Sequence, residues 1–128
     1  MRSWKATVSH FEIPARDVER AARFYREVFG WRVEPVAWEG GPYFKIREAG
    51  EAGGKGIGGG LMPADGAEGG VDQPLLVLHV EEALEDWLER IVAAGGSVDH
   101  PPSRVGEMGS FARFRDPEGN RLGLWQRA

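Results

Sequence analysis

The stretch HFEIPARDVERAARFYREVFGW, from His10 to Trp31, decides the fold. Its first part alternates: His10 and Glu12 fall on one side of an extended chain, Phe11 and Ile13 on the other. The period then changes. Val18, Ala21, Ala22, Tyr25, Val28 and Phe29 recur at the i, i+3, i+4, i+7 spacing of an amphipathic helix running from about Asp17 to Phe29. Asp17 is a good N-cap, and Gly30 stands where a left-handed C-terminal residue is wanted. A strand with one covered face, followed by its covering helix, opens the unit.

The same grammar returns in the second half of the chain. PLLVLHV (74–80) precedes a helix from about Glu81 to Ala94, with Leu84, Trp87, Leu88, Ile91 and Val92 on one face and Gly95-Gly96 closing it. Glu81, Glu82 and Glu85 load its first turn, which suits the helix dipole. Short strand-like runs follow each helix: Trp31–Val36, Tyr43–Arg47 and Gly56–Met62 after the first, Ser97–His100, Ser110–Arg115 and Arg121–Trp125 after the second. Asp116-Pro117-Glu118-Gly119 reads as a type I hairpin turn, and ADGAEGGV (64–71) as an exposed connector. A shift of 65 residues lays Gly30 on Gly95, Val33 on Val98, Ile13 on Leu78 and Asp17 on Glu82. A fixed offset near half the chain length marks an internal duplication. The expected class is α+β: tandem βαβββ modules, about 5–63 and 72–127, within one domain of 1–128. Their mixed sheet would form a barrel-like cup with the helices on its outer face.

Composition narrows the function. With 128 residues there is no room for separate cofactor and substrate domains. Sixteen basic and twenty acidic residues, interspersed to a net charge of −4, argue against a nucleic-acid partner. No apolar run approaches a membrane span, and the N-terminus carries no signal-peptide core, so the expected location is the cytoplasm. The absence of cysteine removes disulfides, thiol nucleophiles and Cys-based zinc sites.

Parity sorts the side chains. Phe11 and Ile13, Leu76 and Leu78, and Leu122 and Leu124 should lie under the helices. His10, Glu12, Leu75, Val77, His79, Gly58, Gly123 and Trp125 then line the open face, where two histidines, a carboxylate and an indole suggest a binding site.

HFEIPARDVERAARFYREVFGW, IGGGLMP (57–63), the Gly95-Gly96 pair and FRDPEGNRLGLWQ (114–126) together resemble the vicinal oxygen chelate superfamily of glyoxalase I, bleomycin-resistance proteins and extradiol dioxygenases. Within it, the chain is most similar to the small bacterial glyoxalase-like proteins. The resemblance covers nearly the whole chain and implies a homodimer. It also implies four metal-ligand positions, which correspond here to His10, Gly58, Leu75 and Gly123. Only His10 carries a donor, and one histidine cannot hold a divalent ion against water. No metal or other cofactor is therefore expected, with an irregular divalent site that includes His79 as the alternative.

Each candidate has a plainer reading beside it. His10 and Glu12, with Cβ atoms roughly 7 Å apart on one face, form either a catalytic pair or a polar ligand contact. The plain alternative is a retained hydrogen-bonded pair. His79 is read first as a strand-end residue with a local partner, and His100 as a loop residue. Trp125 would stack on a planar ligand or pack in the core; Trp31 and Trp87 are read as packing residues. GGKGIGGG (53–60) lacks the Ser or Thr of a phosphate loop and the following helix of a dinucleotide site. It reads instead as a sheet strand whose missing side chains leave room. No basic cluster marks a glutathione or similar anionic site. The expected function is binding of a small organic ligand through His10, Glu12, Gly58, His79, Gly123 and Trp125. The alternative is a lyase or isomerase using His10 and Glu12.

Overall fold

Asp17 caps the first helix as its position predicts: its carboxylate accepts from the Arg20 amide at 3.0 Å, and α1 (Val18–Phe29) follows. Gly30 ends it at φ 69°, in the left-handed region that a side chain would resist. The computed structural model describes residues 4–37, 43–47, 57–64 and 73–128. These comprise β1 (Thr7–Ala15), α1, β2 (Arg32–Pro35), β3 (Phe44–Arg47), β4 (Gly58–Pro63), β5 (Leu75–His79), α2 (Leu84–Ala93), β6 (Ser97–Val105), β7 (Gly109–Arg115) and β8 (Arg121–Arg127). The mixed α+β class is as expected. Most of the connector at 64–71 and the start of the 53–60 glycine run lie outside the described residues.

The chain divides into two compact units, His10–Pro74 and Leu75–Ala128, the residues before His10 grouping with the latter. In the first unit the strand order is β2-β3-β4-β1, with β1 parallel to β4 and the other pairs antiparallel. The second unit runs β6-β7-β8-β5, with β5 parallel to β8 and its other pairs antiparallel. The duplication read from the 65-residue offset is thus a repeat of topology. Its register is not fully repeated. His10 sits beside Gly58 in the first unit, whereas Val77, two residues beyond Leu75, sits beside Gly123 in the second. A two-residue slip keeps every side chain on its face.

In the first unit Val18 and Ala22 of α1 bury against Val33, Phe44, Ile46 and Leu61, with Phe11 and Ile13 packed alongside. The C-terminal end of the expected stripe is not buried. Val28 and Phe29 are exposed, and Trp31, just past the helix, stacks on Tyr25 at 5.0 Å. In the second unit Leu84 and Leu88 of α2 bury against Ala112, Phe114 and Leu124, with Leu78 and Leu122 alongside.

Leu76 shares the parity of Leu78 yet is 51% exposed. Helix α2 packs over β6, β7 and β8, so the start of β5 lies outside its cover. The helix also begins three residues later than expected. Glu82 does not enter it but accepts a hydrogen bond from the Trp87 indole at 3.0 Å. Trp4 leans on Trp87 at 5.2 Å, and the Arg90 guanidinium lies 4.3 Å from the Trp4 ring centre.

Strand β6 was expected to stop at His100 but continues through Pro101 and Pro102. It ends the strand order of its unit, so a proline there interrupts no inner ladder, and register shifts on either side of His100 absorb the extra residues. The turn after β7 closes as read: the Gly119 amide donates to the Asp116 carbonyl at 2.9 Å. The Asp116 carboxylate accepts from the Glu118 and Asn120 amides, each at 2.9 Å, and from the Asn120 side chain at 3.0 Å. The Asn120 side-chain bond first, and then the amide bonds, lower the Asp116 pKa.

Candidate functional site

Parallel pairing of β1 with β4 sets His10 beside Gly58 and Glu12 beside Gly60. Antiparallel pairing with β3 then puts Lys45 beside Gly60. Phe11, Ile13, Phe44, Ile46 and Leu61 take the face toward α1, so His10, Glu12 and Lys45 project from the opposite face of the same unit. The structure therefore brings together three of the expected site residues: His10, Glu12 and Gly58.

His10 is partly buried there, and loss of water around the ring lowers its pKa from 6.5, favouring the neutral imidazole at pH 7. Tyr43, just before β3, joins this group. An added Cβ at the buried Gly60 would overlap its hydroxyl and lie 2.9 Å from its Cε2, so the phenol covers that glycine. Burial first, and then the Glu12 charge, push the Tyr43 pKa far above 10. Sequence reasoning missed Tyr43 as a site residue. Its signal is the alternation of β3, which puts it on the parity of Lys45.

The same register carries a basic group that the sequence does not display as one. Arg32 faces Arg47 and Glu34 faces Lys45 across β2 and β3, all on the parity of Glu12. Residues well apart in the chain become neighbours only through strand pairing.

The second unit presents two rows on the face away from α2. Val77, Gly123, Arg113 and His100 form one row across β5, β8, β7 and β6; His79, Trp125, Phe111 and Ser103 form the next. His79, Gly123 and Trp125, the remaining expected site residues, thus share a face. Gly123 does not border an empty space: an added Cβ would meet Val77 Cγ2 at 3.3 Å. His79 has the local partner expected of it, its Nδ1 lying 3.9 Å from a Glu81 carboxylate oxygen.

His100 departs furthest from its sequence reading. It lies within β6, is only 7% exposed, and stacks on Phe111 at 5.0 Å. Its Nδ1 is 2.7 Å from the Pro101 carbonyl, an arrangement in which the ring donates. The bulged strand turns it inward, which no local pattern announced. Among the described residues, no group of three His, Asp or Glu side chains is arranged to hold a metal ion. No helix among them is long and apolar enough to cross a membrane.

Known proteins share this architecture. The methylmalonyl-CoA epimerase of Mycobacterium tuberculosis superposes with a TM-score of 0.67 at 16% identity, over 94% of this chain and 87% of that one. A variant of the Streptomyces coelicolor methylmalonyl-CoA epimerase, in complex with 2-nitronate-propionyl-CoA, reaches 0.69 at 16% identity over 98% and 99%. At that identity the likeness is one of fold.

In sequence, the Mycobacterium tuberculosis protein CFP32, provisionally named a glyoxylase, is 27% identical over 124 residues, covering 95% of this chain. The chain spans about half the length of that relative, 46%. A glyoxylase-like domain-containing protein of Didymella fabae is 29% identical over 119 residues, 88% of each. The repeated βαβββ topology, its superposition on these folds and a family match over residues 7–124 converge: this chain belongs to the glyoxalase/bleomycin resistance protein/dioxygenase superfamily.

Proposed function

We propose that this protein binds a small organic ligand on the open faces of its βαβββ units, without the divalent metal that serves other members of the family. The observation that carries the reading is the surroundings of His10. Its neighbour across the parallel ladder is Gly58, and a glycine supplies no donor to share an ion. The other two positions of the implied ligand set support it. Leu75 is a buried hydrocarbon and Gly123 abuts Val77. These residues do not fit a divalent cation.

What they do fit is polar recognition beside a backbone floor. A neutral His10 can donate and accept, Glu12 accepts, and Tyr43 presents a hydroxyl that stays protonated at any physiological pH. The ligand-bound epimerase variant supports the fold as a host for small organic groups. The reading carries with it a single glyoxalase-like domain, a homodimer and a cytoplasmic setting, as the family resemblance implies.

A thermal-shift screen of small organic acids, amides and thioesters tests it. Compounds that raise the Tm of the wild type should raise it less in His10→Gln or in Gly58→Leu, whose new side chain projects from the same face. Ligands that stabilise all three proteins equally would place binding elsewhere, and a screen without hits would count against a binding protein.

A further inference from the structure

Arg113 is held differently from the arginines around it. Arg115 and Arg121, paired across β7 and β8, both reach the mostly buried Asp99 carboxylate, each Nε at 3.4 Å. Arg113 lies two residues from Arg115 on the same face, and among the described residues it has no carboxylate partner. It lies instead against an aromatic ring: the guanidinium carbon is 5.3 Å from the Phe111 ring centre. A partly buried guanidinium whose charge no carboxylate answers is an anion-binding group awaiting its anion.

The surroundings specify more than charge. Phe111 is backed by the stacked His100 ring and has Trp125 as its cross-strand neighbour on β8, on the same face as Arg113. On the other side Gly123 offers backbone alone, bounded by the methyl groups of Val77. A single planar fork with an aromatic ring beside it matches a flat, singly charged acid better than a phosphate, which would draw further cations. Arg115 and Arg121, by contrast, are both drawn to the single Asp99 carboxylate.

We infer that the open face of the second unit carries a site for a planar aromatic carboxylate, its anion held by Arg113 and its ring by Phe111 and Trp125. The inference rests on the ligand-binding reading above and names the chemistry of the ligand. Neither His10 nor Glu12 belongs to this set.

Calorimetric titration with 2-naphthoate, 2-naphthamide and inorganic phosphate tests it. The wild type should bind 2-naphthoate and lose about tenfold or more in affinity for the neutral amide, consistent with a charge-assisted pair. Arg113→Gln should lose the same preference while its near-ultraviolet circular dichroism stays unchanged. If that variant fails to fold, Arg113→Lys keeps the charge and stem but not the fork, and should bind 2-naphthoate several-fold more weakly.

Equal affinity for acid and amide, undiminished binding by the variants, or no heat with 2-naphthoate would overturn the inference. Phosphate binding as tightly as 2-naphthoate, and lost with Arg113, would overturn its aromatic half. If 2-naphthoate fails while the thermal-shift screen yields other ligands sensitive to His10→Gln, only this site falls. If both fail, the binding reading falls with it.

Discussion

Gly59 and Gly60 are adjacent in β4, yet an alanine at each should have opposite consequences. Gly59 faces α1. An added Cβ would lie 2.5 Å from Phe11 Cδ1 and 2.6 Å from the Phe11 carbonyl oxygen. Ordinary contacts between carbon atoms need about 3.5–4 Å, so roughly 1 Å must be found. The ring cannot easily supply it, because Phe11 is packed on the core and lies 5.9 Å from Trp31. The carbonyl cannot supply it either without opening the β1–β4 pairing. Overpacking of this kind costs about 1–3 kcal/mol. The entropy gained by replacing a strand glycine returns about 0.5–1 kcal/mol, which leaves a net loss of about 1 kcal/mol, within a range of about 0–2.5 kcal/mol. Gly60 faces the other way, and the atoms nearest its added Cβ belong to the outer end of the Tyr43 side chain. Rotation about χ1 removes that conflict.

Gly59→Ala should therefore lower the denaturant midpoint clearly, and Gly60→Ala only slightly. The second variant should betray itself in Tyr43 instead. Released from its buried seat, the phenol should titrate closer to 10, visible in an alkaline ultraviolet titration in which Tyr25 is the only other tyrosine. Glu12→Gln should move Tyr43 the same way but by less, because burial outweighs the Glu12 charge in raising it. Gly60→Ala proving the more destabilising of the two glycine variants, or leaving the tyrosine titration unchanged, would refute this reasoning.

The pH dependence of stability should carry the signature of His10. Its folded pKa lies below 6.5, so between that value and 6.5 the unfolded chain binds more protons and stability falls as the pH is lowered. Urea denaturation of the wild type and His10→Gln across this range should show a shallower slope in the variant; equal slopes would contradict the buried, neutral imidazole. Titration with zinc, nickel or manganese should reveal no tight site. A stoichiometric sub-micromolar site abolished by His10→Ala would overturn the metal-free reading.

Local pattern determined the elements and their duplication. The switch from alternation to helical spacing after Ala15, the caps at Asp17 and Gly30, and the hairpin at Asp116–Gly119 all depend on residues within a turn or two of one another. Parity also put His10 with Glu12, and His79 with Val77, on one face of their strands, because a strand's alternation is fixed before it finds a partner; that Leu75 and Val77 are buried there is not a local property. Sequence similarity across nearly the whole chain identified the superfamily.

Neighbours across strands were another matter. Which residues flank Arg113, why Arg32 meets Arg47, and that Tyr43 covers Gly60 follow from pairing register, which links positions far apart in the chain. His100 became a buried member of β6 only because bulges on an edge strand re-aimed it past two prolines. Leu76 stayed exposed because α2 settled over other strands. A side chain's facing is a local property of the backbone, whereas its burial and its partners belong to whatever the fold places opposite it.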